Sequence, residues 1–141
     1  RADLARLAGC DGVHVGQDDL PVALARQIAP GLAVGVSTHD EAQLAAAIAE
    51  APDYVAFGPI HGTTSKENPD EVVGEARLAA VAATCPLPLV AIGGIDVARA
   101  SAIARAGAIG AVIGALLPDA GASHATVTDR AAALRAALET A

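Results

Sequence analysis

Short apolar runs rich in Val and Ile alternate along this chain with longer Ala-rich stretches in which Leu or Ile recurs at helical intervals. The runs fall at 12–17, 32–37, 53–60, 88–94 and 109–116, and each is short enough and β-branched enough to predict a strand. The intervening stretches near 20–29, 40–50, 75–84, 97–106 and 126–140 predict helices, and 2–8 reads as the end of a further helix. Boundary signals agree. Thr38 with Glu41 reads as a capping box, Asp96 stands before the fourth of these helices, and Gly107 stands where a left-handed residue closes it. Asp18 and Asp19 precede Leu20-Pro21, so one of them is expected to cap the first helix with Pro21 in its first turn.

Strict β-α-β-α alternation, with strands apolar enough to be covered on both faces, predicts a parallel sheet with right-handed crossovers. Such a sheet can be finished as an open doubly wound sheet of five strands or as an eight-stranded barrel with three further βα units. The polar residues weigh on that choice. Every run is followed by a Gly, Ser, Thr, Asp or Gln cluster, at Gly16–Asp19, Ser37–Asp40, Gly58–Lys66, Gly93–Asp96 and Gly114-Ala115. Parallel α/β enzymes keep their chemistry at these strand ends, and barrels frequently hold a phosphate after strands seven and eight. If the five runs are the last five of eight, Gly93-Gly94 and Gly114-Ala115 occupy those places, with bare backbone N–H groups ahead of helices. The expected fold class is therefore α/β, a (β/α)8 TIM barrel of which this chain supplies the last five βα units, all of 1–141 lying in that one domain.

Composition narrows the function. Hydrophobic residues make up 53% of the 141, which places the chain among globular domains rather than disordered ones. A net charge of −7, with one Phe, one Tyr and no Trp, argues against a nucleic-acid partner. No run reaches membrane-span length and the N-terminus lacks a signal-peptide layout, so a cytoplasmic protein is expected. Cys10 and Cys85 lack ligand spacing and read as small buried residues. The chain has no Met and begins Arg1-Ala2-Asp3, so further sequence is expected upstream.

Lys66 is the one lysine in the chain and follows Thr63-Thr64-Ser65 directly. Hydroxyl donors ending in a compact ammonium suit phosphate oxygens, whereas an isolated Thr-Thr-Ser-Lys is ordinarily a solvated loop; the position after a strand favours the phosphate reading. If one carboxylate of Asp18-Asp19 caps a helix, the other is free for Mg²⁺, which takes one or two carboxylates plus substrate phosphates. His14, His39, His61 and His124 show no ligand spacing and are read as structural or exposed.

In this order, Asp11–Pro21, Gly35–His39, Asp53–Ile60, Thr63–Lys66 and Val90–Ile95 resemble thiamine-phosphate synthase. The resemblance implies a transferase that joins hydroxymethylpyrimidine diphosphate to thiazole phosphate, giving thiamine phosphate and pyrophosphate, on a TIM barrel. It implies Asp19 as a Mg²⁺ ligand, Ser37 and Lys66 against the pyrimidine diphosphate, and Thr63, Thr64 and Ser65 against the thiazole phosphate. Gly94, Gly114 and Ala115 complete that phosphate site, and Lys66 is the residue implied to be catalytic. The implied partners are these phosphorylated small molecules, with no nucleic acid or membrane, and self-association is left open. His61-Gly62 replaces the family's usual aromatic and proline, and Ala115 its usual serine. The family's first three strands, basic pyrimidine-binding residues and Asn-Asp metal motif fall before Arg1. The alternatives are a thiazole tautomerase, whose catalytic histidine falls at Pro59 here, and a non-catalytic phosphate-binding fragment.

Overall fold

In the computed structural model, which describes residues 1–62, 71–110, 116 and 123–139, six helices and five strands alternate. The order is α1 (Ala2–Leu7), β1 (Gly12–Val15), α2 (Val22–Ile28), β2 (Ala33–Thr38), α3 (Glu41–Ala49) and β3 (Tyr54–Phe57). It continues through α4 (Glu75–Ala82), β4 (Leu89–Ala91), α5 (Val97–Arg105), β5 (Ile109–Gly110) and α6 (His124–Glu139). All neighbouring strands pair in parallel, in the sequential order β1-β2-β3-β4-β5. This is the βα arrangement of a TIM barrel, and among the described residues β1 and β5 are its two edges.

One face of the sheet holds the core. Val13, Val15, Val34, Val36, Val55, Phe57, Leu89 and Ala91 alternate onto it and are buried under the helices. Fully buried Ala25, Ala29 and Ala100 let the helix backbones approach closely. Coverage of the second face is uneven among the described residues, with Gly35 and Ala56 buried and the two edge strands open. The second face carries His14, Gly35, Ser37, Tyr54, Ala56, Val90 and Ile109, and there His14 and Ile109 are exposed. On β1 and β2 this face carries the small and polar residues His14, Gly35 and Ser37, which suits an interior that opens on a polar site, while the helix-covered face is built from Val, Leu and Phe.

β1, β3 and β4 are shorter than the apolar runs 12–17, 53–60 and 88–94, because each of these runs continues through Gly into the loop beyond its ladder, whereas β2 matches the run 32–37 in length and ends one residue later. Two helix starts differ from the sequence reading. The cap of α3 is Asp40, whose carboxylate accepts from the Gln43 N–H at 2.8 Å, while the Gln43 side chain accepts from His39 N–H. Thr38 instead lies buried in β2 and donates its hydroxyl to the Ala56 carbonyl at 2.9 Å. Neither Asp18 nor Asp19 caps α2: Pro21 is its N-cap and the Val22 N–H donates to Glu50 Oε2, 28 residues away. Asp96 caps α5 as expected, accepting from Arg99 N–H at 3.0 Å, and Gly107 has φ +86° just beyond that helix. Cys10 is exposed and Cys85 half-buried, so neither is the fully buried residue anticipated.

Candidate active site

Because the strands are parallel, the loops after β1, β2, β3 and β4 emerge at one end of the sheet. They bring the stretches containing Asp19, Ser37, Gly58–Gly62 and Gly93-Gly94 to a common rim. Thr63, Thr64, Ser65, Lys66, Gly114 and Ala115 lie outside the described residues.

The loop after β1 is a closed turn. Asp19 N–H donates to the Gly16 carbonyl at 3.3 Å, and one carboxylate oxygen, Oδ2, accepts from Gly16 N–H at 2.7 Å. Among the described residues no hydrogen bond engages the other oxygen. The Gln17 amide reaches across to donate to the Ser37 carbonyl at 2.6 Å, tying this turn to the end of β2. No cluster of three His, Cys, Asp or Glu side chains able to hold a metal occurs among the described residues. A single oxygen donor fits Mg²⁺, which relies on waters and substrate phosphates, and does not fit an all-protein Zn²⁺ site.

The loops after β3 and β4 are clamped backbone to backbone. Ile60 N–H donates to the Ile92 carbonyl at 2.8 Å, and His61 N–H to the Gly93 carbonyl at 3.1 Å. This contact demands the glycines. A Cβ on Gly94, where φ is +63°, would stand 2.6 Å from the Gly62 carbonyl oxygen and 2.7 Å from His61 Cβ. The Arg99 guanidinium on α5 donates to the Gly94 carbonyl at 2.6 Å, fixing the peptide from the helix side. His61 packs with Nε2 3.3 Å from Glu75 Oε1.

The pair that sequence reasoning missed is His14 with Tyr54. Register sets His14, Gly35 and Tyr54 side by side across β1, β2 and β3, and the missing side chain at Gly35 lets the tyrosine ring lie over the central strand. The two rings stack with centroids 5.5 Å apart and an interplanar angle of 25°. Tyr54 Oη lies 3.0 Å from His14 Nδ1, and His14 Nε2 lies 2.7 Å from Ser37 Oγ. Although His14 is an exposed residue, partial desolvation of its ring against Tyr54 and Ser37 lowers the imidazole's pKa while the nearby Asp19 charge opposes the shift, and partial burial raises that of the Tyr54 phenol. Both groups are therefore neutral near pH 7. The signal available in the sequence was the Gly35/Tyr54 register, visible only once the strands were aligned.

Gly35→Ala tests that arrangement, because its methyl group would stand 2.0 Å from Tyr54 Cζ. The ring is the free end of a side chain and can move, so the expected cost is only about 1 to 2 kcal/mol. With the ring displaced into water, its phenol pKa should fall towards the ordinary tyrosine value in an ultraviolet absorbance titration. An unchanged phenol titration would show that the ring does not lie over Gly35.

The family model for thiamine monophosphate synthase matches residues 1–116. This chain belongs to the thiamine monophosphate synthase family. The thiamine-phosphate synthase of Anaeromyxobacter dehalogenans is 50% identical over 130 residues, covering 88% of this chain and 59% of the relative. That of Deinococcus radiodurans is 52% identical over 110 residues, covering 77% of this chain and 39% of the relative. The solved thiamine phosphate pyrophosphorylase from Pyrococcus furiosus superposes with a TM-score of 0.83 at 31% identity, over 99% of this chain and 65% of that one. The chain thus spans 59% or less of the length of these two curated relatives. Within the thiamine monophosphate synthase match lie all four described loops and both segments outside the described residues that carry expected phosphate contacts. No described helix is long and apolar enough to cross a membrane.

Proposed function

We propose that this chain forms the C-terminal five βα units of a TIM-barrel thiamine-phosphate synthase, a cytoplasmic transferase. It would join hydroxymethylpyrimidine diphosphate to thiazole phosphate. The observation that carries the reading is the convergence of the Asp19, Ser37 and Gly94 loops at one end of a parallel sheet, in a chain of this family.

In this reading Ser37 and Lys66 hold the diphosphate, while Thr63, Thr64 and Ser65 hold the thiazole phosphate. The backbone at Gly94, Gly114 and Ala115 completes the second phosphate site, so the loss of a hydroxyl at Ala115 leaves that contact intact. Asp19 would hold Mg²⁺ through its remaining carboxylate oxygen; when bound, the cation supplies neutralising charge to diphosphate oxygens. The bond between the pyrimidine methylene carbon and the diphosphate oxygen breaks, and its electron pair leaves with pyrophosphate. The thiazole nitrogen then donates its lone pair to the methylene carbon, forming the new C–N bond with no proton transfer. Lys66 offsets the charge building on the leaving group, and the two phosphate sites hold the reactants in line. Positioning and electrostatic stabilisation carry the catalysis.

The test is incubation of the full-length protein with both substrates and Mg²⁺, following thiamine phosphate and pyrophosphate together. Equal yields of the two products are expected, with none when either substrate is omitted. Failure to form thiamine phosphate from a folded, full-length protein would reject the assignment.

A further inference from the structure

The structure assigns His14 and Tyr54 to a directional hydrogen-bond relay that makes Ser37 a donor to an anionic oxygen. They are positioning residues, acting through Ser37. The inference rests on the proposed role of Ser37 at the diphosphate, and its starting point is the chain of contacts from Tyr54 Oη to His14 Nδ1 and from His14 Nε2 to Ser37 Oγ, at 3.0 and 2.7 Å.

Counting protons fixes the direction. A diphosphate oxygen only accepts hydrogen bonds, so Ser37 must point its O–H at the ligand and satisfy its own oxygen by accepting from His14. A neutral imidazole carries one N–H, which must then be on Nε2. That leaves Nδ1 as an acceptor, and the phenol of Tyr54 is the group within reach that can donate to it. Every donor is used once. The opposite tautomer carries its proton on Nδ1, towards Tyr54, and takes the serine proton at Nε2. Ser37 would then face the phosphate with lone pairs alone, which is repulsive. The choice of tautomer is thus coupled to anion binding, as expected when the other nitrogen's partner decides which ring nitrogen is protonated. The backbone holds the serine end of the relay steady, since Gln17 grips the Ser37 carbonyl from the neighbouring loop. Gly35 provides the space in which Tyr54 crosses β2 to reach β1.

The experiment has two arms on the full-length protein. In the first, ¹⁵N NMR of the histidine rings is recorded with saturating pyrophosphate, using His14→Gln to assign the signals. The expected result is a protonated Nε2 and an unprotonated, hydrogen-bonded Nδ1 in the wild type, with the Nδ1 signal displaced in Tyr54→Phe. A proton on Nδ1 in the pyrophosphate-bound wild type overturns the relay. In the second arm, His14→Leu is expected to raise the KM for the pyrimidine diphosphate roughly tenfold, with kcat changing less, as for loss of one hydrogen bond to a charged ligand. His14→Gln, whose amide N–H can replace Nε2–H, should recover most of that loss. Made in a Ser37→Ala background, His14→Leu should cost nothing further, because the residue acts through a hydroxyl no longer present. Full additivity of the two losses would mean a merely structural histidine and would likewise overturn the relay. If the wild type makes no thiamine phosphate, the proposed activity fails by itself. Pyrophosphate titration of the same variants, together with the ring tautomer, then still decides the relay.

Discussion

Lys66→Ala in the full-length protein is expected to lower kcat by roughly two to three orders of magnitude while leaving thermal stability nearly unchanged. The expectation starts from composition: the chain's cations are eight arginines and this one lysine, and the lysine alone follows a run of three hydroxyl residues at a strand end. A compact ammonium on a flexible stem can follow the charge that grows on the leaving diphosphate, whereas a guanidinium presents a fixed planar fork. Lys66→Arg should therefore recover only part of the rate. The measurement compares kcat at saturating Mg²⁺ and both substrates with the unfolding temperature of the same variants. Near-normal turnover by Lys66→Ala would make the lysine a solvated loop residue and assign the leaving-group charge to other cations. The result is independent of the His14 relay, whose expected effect is on KM.

The alternation of strands and helices was legible because each βα unit carries its own periodicity, and the barrel choice because the glycine sites after the fourth and fifth runs fall where a barrel holds a phosphate after strands seven and eight. What escaped reading depends on contacts distant in sequence. The first N–H of α2, at Val22, is satisfied by Glu50, and no rule about neighbouring residues finds an acceptor 28 positions away. Thr38 and Glu41 have capping-box spacing, yet Thr38 is spent on the Ala56 carbonyl of the adjacent strand and Asp40 takes the cap. His14 was set aside for want of a ligand spacing along the chain, whereas its partners at 37 and 54 lie on two other strands and meet it through register. Asp19 was read as either a helix cap or a metal ligand. The structure gives it a third task, closing the turn at Gly16 through Oδ2. Segments 63–66 and 114–115, expected to bind phosphate from their residue types and from the resemblance alike, lie outside the described residues.

Gly58→Ala is the substitution expected to damage the fold most among single methyl additions at this rim. A Cβ at Gly58 would stand 2.1 Å from the Ile92 carbonyl oxygen and 2.9 Å from its carbon. That oxygen is the acceptor for Ile60 N–H, and Ile92 N–H in turn donates to the Phe57 carbonyl, so the methyl would enter the middle of the bridge between the β3 and β4 ends. The nearest obstacle is the Ile92 carbonyl, which is backbone and which no rotamer change can move. Fully buried Phe57 and Ile60 flank the glycine and prevent the strand end from sliding outward. This differs from Gly35, where the group in the way is a tyrosine ring with room to swing. A cost of about 3 kcal/mol is expected, at the upper end of what overpacking ordinarily causes. It should be read as a lowered urea midpoint with an unchanged slope, the sign of lost stability without a change in the surface exposed. Because the same bridge holds Gly93 and Gly94 at the proposed phosphate site, residual activity of the folded fraction should show a raised KM for thiazole phosphate. A Gly58→Ala protein as stable as the wild type would mean that the two loops do not meet at this distance. The clamp between β3 and β4 would then not be the element that positions Gly94.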